Sequence, residues 1–227
     1  MERKHLNLAA LLAACSCLFI TTLGQADTPT SPYPDTGNLG VKWWQRVMSI
    51  PTPQNPFFDS TGATCDVGQS GHTWYLYSSS SGNADETVRI KCTIPAGRQM
   101  FVALIVAICI PFPGETVPQN IEFCREGSDV VDVLELKIDG ELRNDLIERR
   151  AQTRPFSVDL PKDNAFGYPP GIVIAVHEGF FATIPPLPPG VHTMRVRGGI
   201  KSIGLEFDTR YRLEIVRPAR ALPVTPQ

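Results

Sequence analysis

Gly68-Gln69-Ser70-Gly71-His72 sets a hydroxyl close to an imidazole, the two groups from which an activated nucleophile and its base are made. A nucleophile elbow requires Gly-x-Ser-x-Gly between a strand and a helix. Here the second glycine comes one residue early and a strand pattern follows. The segment therefore reads as a glycine-rich turn whose Ser and Gln side chains bond to the backbone. His177-Glu178 is the other acid–base pair, set in an otherwise apolar run. Consecutive strand residues face opposite ways, so the two cannot serve each other, and whichever projects inward needs a partner for its polar group. A hydrolase built on His72 or His177 would have to take its carboxylate from a distant segment. Asp59 and Asp66 around Cys65, and Asp159, Asp163 and Asn164, offer oxygens for Ca²⁺. Neither set has the spacing of a known loop, and turn formation is the commoner job, so no metal or cofactor is expected. The best binding signal is aromatic. In Thr73–Tyr77, Trp74 and Leu76 share one face while Tyr75 and Tyr77 share the other. With tryptophan inward, two tyrosines would stand exposed as a stacking surface for a small molecule or glycan; otherwise they pack under a neighbouring element. Trp43 and Trp44 have the same two readings, with packing of their helix onto a sheet the preferred one.

These residues must be carried by a framework, and its centre is Met100–Phe112. This stretch is uncharged and apolar in both period-2 registers, as expected of a strand covered on both faces. It is too short to cross a bilayer as a helix, which takes about 20 residues. Ile172–Ile184 repeats the pattern, with Gly179 a candidate bulge. Thr87–Ile94 and Leu205–Val216 alternate cleanly, the latter setting Leu205, Phe207, Thr209, Tyr211, Leu213 and Ile215 against five charged residues. Asp139-Gly140 marks a hairpin after a strand within Val131–Ile138, and a further strand is expected within Leu146–Leu160. Asn38 is expected to cap a short helix over Leu39–Met48. Pro111–Asp129 reads as a proline- and glycine-rich excursion with at most a helical turn. The sum is an all-β chain: one antiparallel β-sandwich, jelly-roll or immunoglobulin-like, of about eight strands with a short N-terminal helix.

Arg3 and Lys4, the apolar stretch Leu6–Leu23 and the small residues of Gly24-Gln25-Ala26 form a signal-peptide pattern. Export to the periplasm or the outside follows, with cleavage after Ala26. Leu12-Ala-Ala-Cys15 also fits a lipobox, which would leave a lipid anchor at Cys15. Cleavage would leave an exposed leader over 27–38, one domain over 39–216 and a disordered tail over 217–227, with no transmembrane segment. The chain has 21 Lys and Arg against 23 Asp and Glu; losing Glu2, Arg3 and Lys4 takes the net charge from −2 to −3. Charges scattered this evenly argue against a nucleic-acid binder, which shows a basic stripe. Four cysteines remain, and an even number in an exported chain implies two disulfides. Of three possible pairings, Cys65–Cys92 with Cys109–Cys124 is preferred because each joins neighbouring segments.

Several short patterns recur in a fixed order. They are Trp43-Trp44-Gln45, Asn55-Pro56, Asp59-x-Thr61-Gly62-x-x-Cys65-x-x-Gly68-Gln69-Ser70-Gly71-x-x-Trp74, Cys92-Thr-Ile-Pro-Ala-Gly97, Ile138-Asp-Gly140 and Pro189-Gly190-x-His192-Thr193. Together they resemble a group of uncharacterised exported bacterial proteins over residues 39 to 216. The resemblance implies export and a single domain, and brings no activity or catalytic residue with it. The functional expectation is an exported, disulfide-stabilised binding or envelope-associated module without catalysis; the alternative is the secreted hydrolase.

Overall fold

Gln99–Cys109 forms the strand around which the chain is built. In the computed structural model, which describes residues 34–77, 87–111, 114–147, 150–164 and 166–217, its Met100, Phe101 and Val102 are all fully buried. Met100, Val102 and Leu104 face one apolar cluster and Phe101 and Ala103 face another. The signal segment, the leader as far as residue 33, the polar stretch 78–86 and the tail from 218 lie outside the described residues.

The described elements run in the order α1 (Pro34–Ser49), β1 (Thr73–Leu76), β2 (Thr87–Pro95), β3 (Gln99–Cys109), α2 (Val117–Asp129), β4 (Val133–Ile138), β5 (Glu141–Leu142), β6 (Ala151–Gln152), β7 (Phe156–Leu160), β8 (Gly171–Ile184), β9 (Gly190–Ile200) and β10 (Leu205–Val216). They make two five-stranded sheets. The first has the order β1-β3-β8-β6, with β7 also paired to β8; the second has the order β2-β10-β9-β4-β5. The chain is mostly β, as expected, but both sheets are mixed. β1 runs parallel to β3, and β2 runs parallel to β10. The purely antiparallel expectation fails because β2 and β3, adjacent in sequence, enter different sheets through the Pro95–Gly97 turn instead of forming a hairpin.

One cluster joins the sheets. Trp74, Leu76, Met100, Val102, Ala182 and Ile184 of the first meet Ile90, Ile94, Leu136, Val196, Leu213 and Ile215 of the second. On the other face of the first sheet, Tyr75, Phe101 and Phe181 meet Trp43, Trp44, Val47 and Met48 of α1. Positions 43, 44, 47 and 48 lie on one helical face, which makes the stripe that docks. The helix begins earlier than Asn38, since Pro34 is suited to a first helical position, so residues 34–38 are helical. α2 is longer than the single turn expected. Thr116 and Gln119 form a reciprocal capping box with Pro118 in the first turn, a start signal present in the sequence but masked by its few apolar residues.

Both disulfides pair as preferred. Cys65–Cys92 spans 5.7 Å between Cα atoms and Cys109–Cys124 spans 6.1 Å. The second fixes α2 to the end of β3. The expected bulge lies in β3, where Leu104 has no partner between the pairs Ala103–Phe181 and Ile105–Phe180. Gly179 faces it at φ 149°, and a Cβ there would come within 2.6 Å of the Val106 backbone. Leu104 also presses its carbonyl against Gly198 of the second sheet, where a side chain would collide.

Two glycine substitutions separate strain from collision. Gly97→Ala, at φ 84° with open space around it, is expected to cost about 1 kcal/mol from backbone strain alone. Gly179→Ala adds a backbone collision and is expected to cost about 2–4 kcal/mol. Urea denaturation midpoints at unchanged slope measure both, and equal losses would contradict the bulge account.

Candidate functional site

The glycine-rich segment is a structural turn. Asp59 accepts hydrogen bonds from the amides of Thr61, Gly62 and Thr64 and from the Thr61 and Thr64 hydroxyls, at 2.6–3.1 Å. Burial alone would raise its pKa, yet these donors hold it well below the usual carboxylate range. Gln69 treats β1 as a neighbouring strand would: its Nε2 donates to the Tyr75 carbonyl at 2.7 Å and its Oε1 accepts from the Tyr75 amide at 2.9 Å. Ser70 accepts from Arg46 at 2.8 Å, and the same guanidinium lies 4.9 Å over the Tyr75 ring. Asn55 closes the end of α1 by donating to the carbonyls of Val47 and Ile50. Asn164 does the same work in its own loop, bonding Pro161 and Tyr168. Among the described residues no group of three or more His, Cys, Asp or Glu side chains is placed to hold a metal.

The aromatic expectation is corrected. Tyr75 and Tyr77 are 3% and 5% exposed because α1 lies across them, with Trp43 5.3 Å from the Tyr77 ring and donating to the Leu76 carbonyl at 3.0 Å. Burial pushes both phenols up. Trp74 faces the inter-sheet core. No tyrosine platform is therefore exposed on β1.

The two histidines stand apart in character. His72 is exposed at the start of β1. His177 is fully buried against Phe156 and Phe181, beneath Gly40, whose missing side chain leaves room for the ring. Neighbouring Glu178 is also buried and has the partner its charge requires. Arg150 pairs with it and also with Asp129, donates to the Arg125 carbonyl at 2.7 Å, and so ties α2 to β8. Gln152 donates to Glu178 at 3.0 Å. Burial raises the Glu178 carboxyl despite Arg150. This pair secures a helix.

The unexpected assembly is on the outer face of the second sheet. Strand register places Lys137, Arg195, Arg210 and Arg89 side by side across four strands. One pleat along, Arg212 is paired with Lys91. Arg195 is neutralised by Asp208, with contacts of 2.9 and 2.6 Å, and Lys137 by Glu135 at 3.3 Å. The Asp208 carboxylate raises the Arg195 pKa, and the Arg195 guanidinium in turn overcomes the burial that would raise Asp208. Arg89, Lys91, Arg210 and Arg212 form a two-by-two block of exposed cations, and none of the four pairs with a carboxylate among the described residues. Like charges directly opposite each other destabilise a sheet, by roughly 0.2–1 kcal/mol per pair. The block lines a concavity of about 520 Å³ with Lys137, Thr193 and Arg195. The even scatter of charge along the sequence is thus undone by folding, because these cations come from segments over a hundred residues apart.

Near the start of β9, His192 lies between two acceptors. Its Nδ1 is 2.7 Å from Asp139 and its Nε2 is 2.9 Å from the Pro188 carbonyl. Only the imidazolium can donate to both. Asp139, at φ 51°, also accepts from the Thr193 amide at 2.8 Å, so this contact pins the β4–β5 hairpin to β9.

Comparisons with protein-family models, with curated proteins and with solved structures return no match. The site is read from its own chemistry.

The hydrogen bond that His192 donates to Asp139 raises its pKa above the ordinary 6.5. The imidazolium therefore stabilises the fold fully below about pH 6.5, and that contribution is lost as pH rises through the higher folded value. Following the ring protons by NMR titration should show the raised value in the folded protein and its return toward 6.5 in Asp139→Asn. An unshifted His192 would contradict the bridging role.

Proposed function

We propose that this chain is an exported, disulfide-stabilised binding module that acts without catalysis, and that its binding face is the outer surface of the second sheet. The N-terminal signal pattern supports export, to the periplasm or the outside, and the two disulfides agree with an oxidising compartment. Among the described residues no helix is long and apolar enough to cross a membrane. We read the two sheets and their shared core as a sandwich spanning residues 39–216, extended at its start by the first turns of α1.

One observation carries the binding assignment: the block Arg89, Lys91, Arg210 and Arg212, in which cation faces cation across the strands and none of the four makes an ion pair among the described residues. A sheet has no folding reason to set cations opposite one another in both cross-strand positions, since the arrangement opposes pairing. An anion held between them removes that repulsion and gains charge-assisted hydrogen bonds, which arginine makes in bidentate fashion. The placement of His72 in solvent and His177 under α1 favours this reading over a hydrolase, since neither faces the concavity.

A sulfonate-bearing resin should retain the purified protein at pH 7 and low salt despite its net negative charge. Arg210→Ala is expected to weaken the interaction by about tenfold, about 1.4 kcal/mol, and Arg89→Glu with Arg210→Glu to abolish it. Lys162→Glu, an exposed cation off this face, should change retention little. Equal losses from all these variants, or none from any, would contradict the assignment.

A further inference from the structure

We infer that the ligand is an extended acidic glycan that crosses from the cation block into a second concavity beside it. This rests on the binding face proposed above and assigns its ligand class. The second concavity, about 590 Å³, shares Lys91 and Arg212 with the first. Beyond that shared pair its character changes. It is lined by the carboxylates Glu214 and Asp66, by the Thr93 hydroxyl and by one wall of Trp74. Glu214 and Thr93 are direct cross-strand partners, two residues along from Arg212 and Lys91.

The face therefore has two chemically distinct halves in one line. Three cross-strand rows, Arg210–Arg89, Arg212–Lys91 and Glu214–Thr93, follow one another along β10 and β2. At about 3.3 Å per residue they span about 13 Å, longer than a single sugar ring. The cationic half suits carboxylate or sulfate groups. The other half offers carboxylate and hydroxyl acceptors, which suit the hydroxyls of a sugar and repel a phosphate.

A polyphosphate or nucleic acid would meet Glu214 and Asp66 with like charge. Single strands of nucleic acid also bind through exposed aromatic faces on which bases stack. The outward positions of these rows hold Arg, Lys, Glu and Thr, Tyr211 points into the core, and Trp74, at 8% exposed, offers no free ring face for a base to stack on. A glycan in which a uronic acid alternates with a neutral sugar satisfies both halves at once, its carboxylates on the arginines and the hydroxyls of its neutral sugars on Glu214 and Thr93.

The test is a calorimetric length series on the purified protein with hyaluronate oligomers, whose glucuronates alternate with neutral sugars, and with galacturonate oligomers, charged at every ring, for comparison. For hyaluronate, affinity should rise tenfold or more between the single sugar and the tetramer, and the galacturonate tetramer should bind more weakly. Inorganic polyphosphate and single-stranded DNA of matched charge should bind at least tenfold more weakly than the hyaluronate tetramer. Glu214→Gln separates the alternatives by sign. If Glu214 accepts sugar hydroxyls, the substitution weakens the tetramer about tenfold while leaving resin retention intact. If it only repels anions, the substitution tightens every anion. A flat hyaluronate series, or a galacturonate tetramer bound as tightly, with resin retention preserved would overturn the glycan assignment and leave the anion-binding face standing. Tighter binding of polyphosphate or DNA would do the same. Loss of resin retention as well would overturn both.

Discussion

β3 is apolar on both faces, and the rest of the structure follows from that. A strand of this kind has no side to offer water, so it needs a cover on each face. The second sheet provides one cover and α1 the other, giving a helix–sheet–sheet stack with β3 and β8 at its middle. Burial of Phe101, Phe181, Trp43 and the paired tyrosines beneath α1 is the second half of the same requirement. The two disulfides lie at the margins of this arrangement. One holds the loop before β1 against β2 and the other holds α2 against the end of β3, each restricting the unfolded chain by about 3 kcal/mol in the loop-entropy account.

The residues that repeat in a distinctive order serve mainly as surrogates for regular structure. Asn55 ends a helix, Asp59 organises a loop, Gln69 completes an edge of the first sheet, and Asp139 with His192 locks a hairpin. Each satisfies backbone groups that would otherwise be left open where the chain is irregular. Asn55, Asp59, Gln69 and Asp139 are therefore already engaged. The opposite holds on the outer face of the second sheet, where cations are set against cations and four of them make no ion pair among the described residues. That contrast moves the functional site away from the recognisable motifs and onto a plain strand surface.

Much of the framework was legible in the sequence. The two-faced run at β3, the strict alternation of β10, the Asp139-Gly140 hairpin and the cysteine pairing stand as read, and the run at β8 does so from Ala175 onward, while Ile172 and Ile174 at its start are exposed. Each depends on local pattern or on short separations. The parallel pairing of β1 with β3 and of β2 with β10 was not legible, because it depends on how a chain crosses between sheets. Tyr75 and Tyr77 were read as a possible exposed surface because alternation reveals two faces but not what covers the second. α2 was missed for its weak apolar stripe, although its capping box was present. The cation block was invisible for a different reason: Arg89 and Lys91 meet Arg210 and Arg212 only through strand register, and in linear order each is diluted by nearby acids. Glu178 shows the reverse case, a buried charge whose need for a partner was foreseen and whose partner, Arg150, only the fold could name.

The central claim is that binding resides on the outer face of the second sheet, with the motif-rich loops acting as support. Amide chemical-shift mapping by NMR during titration with an acidic oligosaccharide addresses it directly. The account predicts perturbations concentrated in residues 89–93 of β2, 193–195 of β9 and 210–214 of β10, with α1, the 68–72 turn and the His177–Glu178 segment unmoved. Perturbations centred on the 68–72 turn, on α2 or on β8, with the face of β2 and β10 silent, would contradict it.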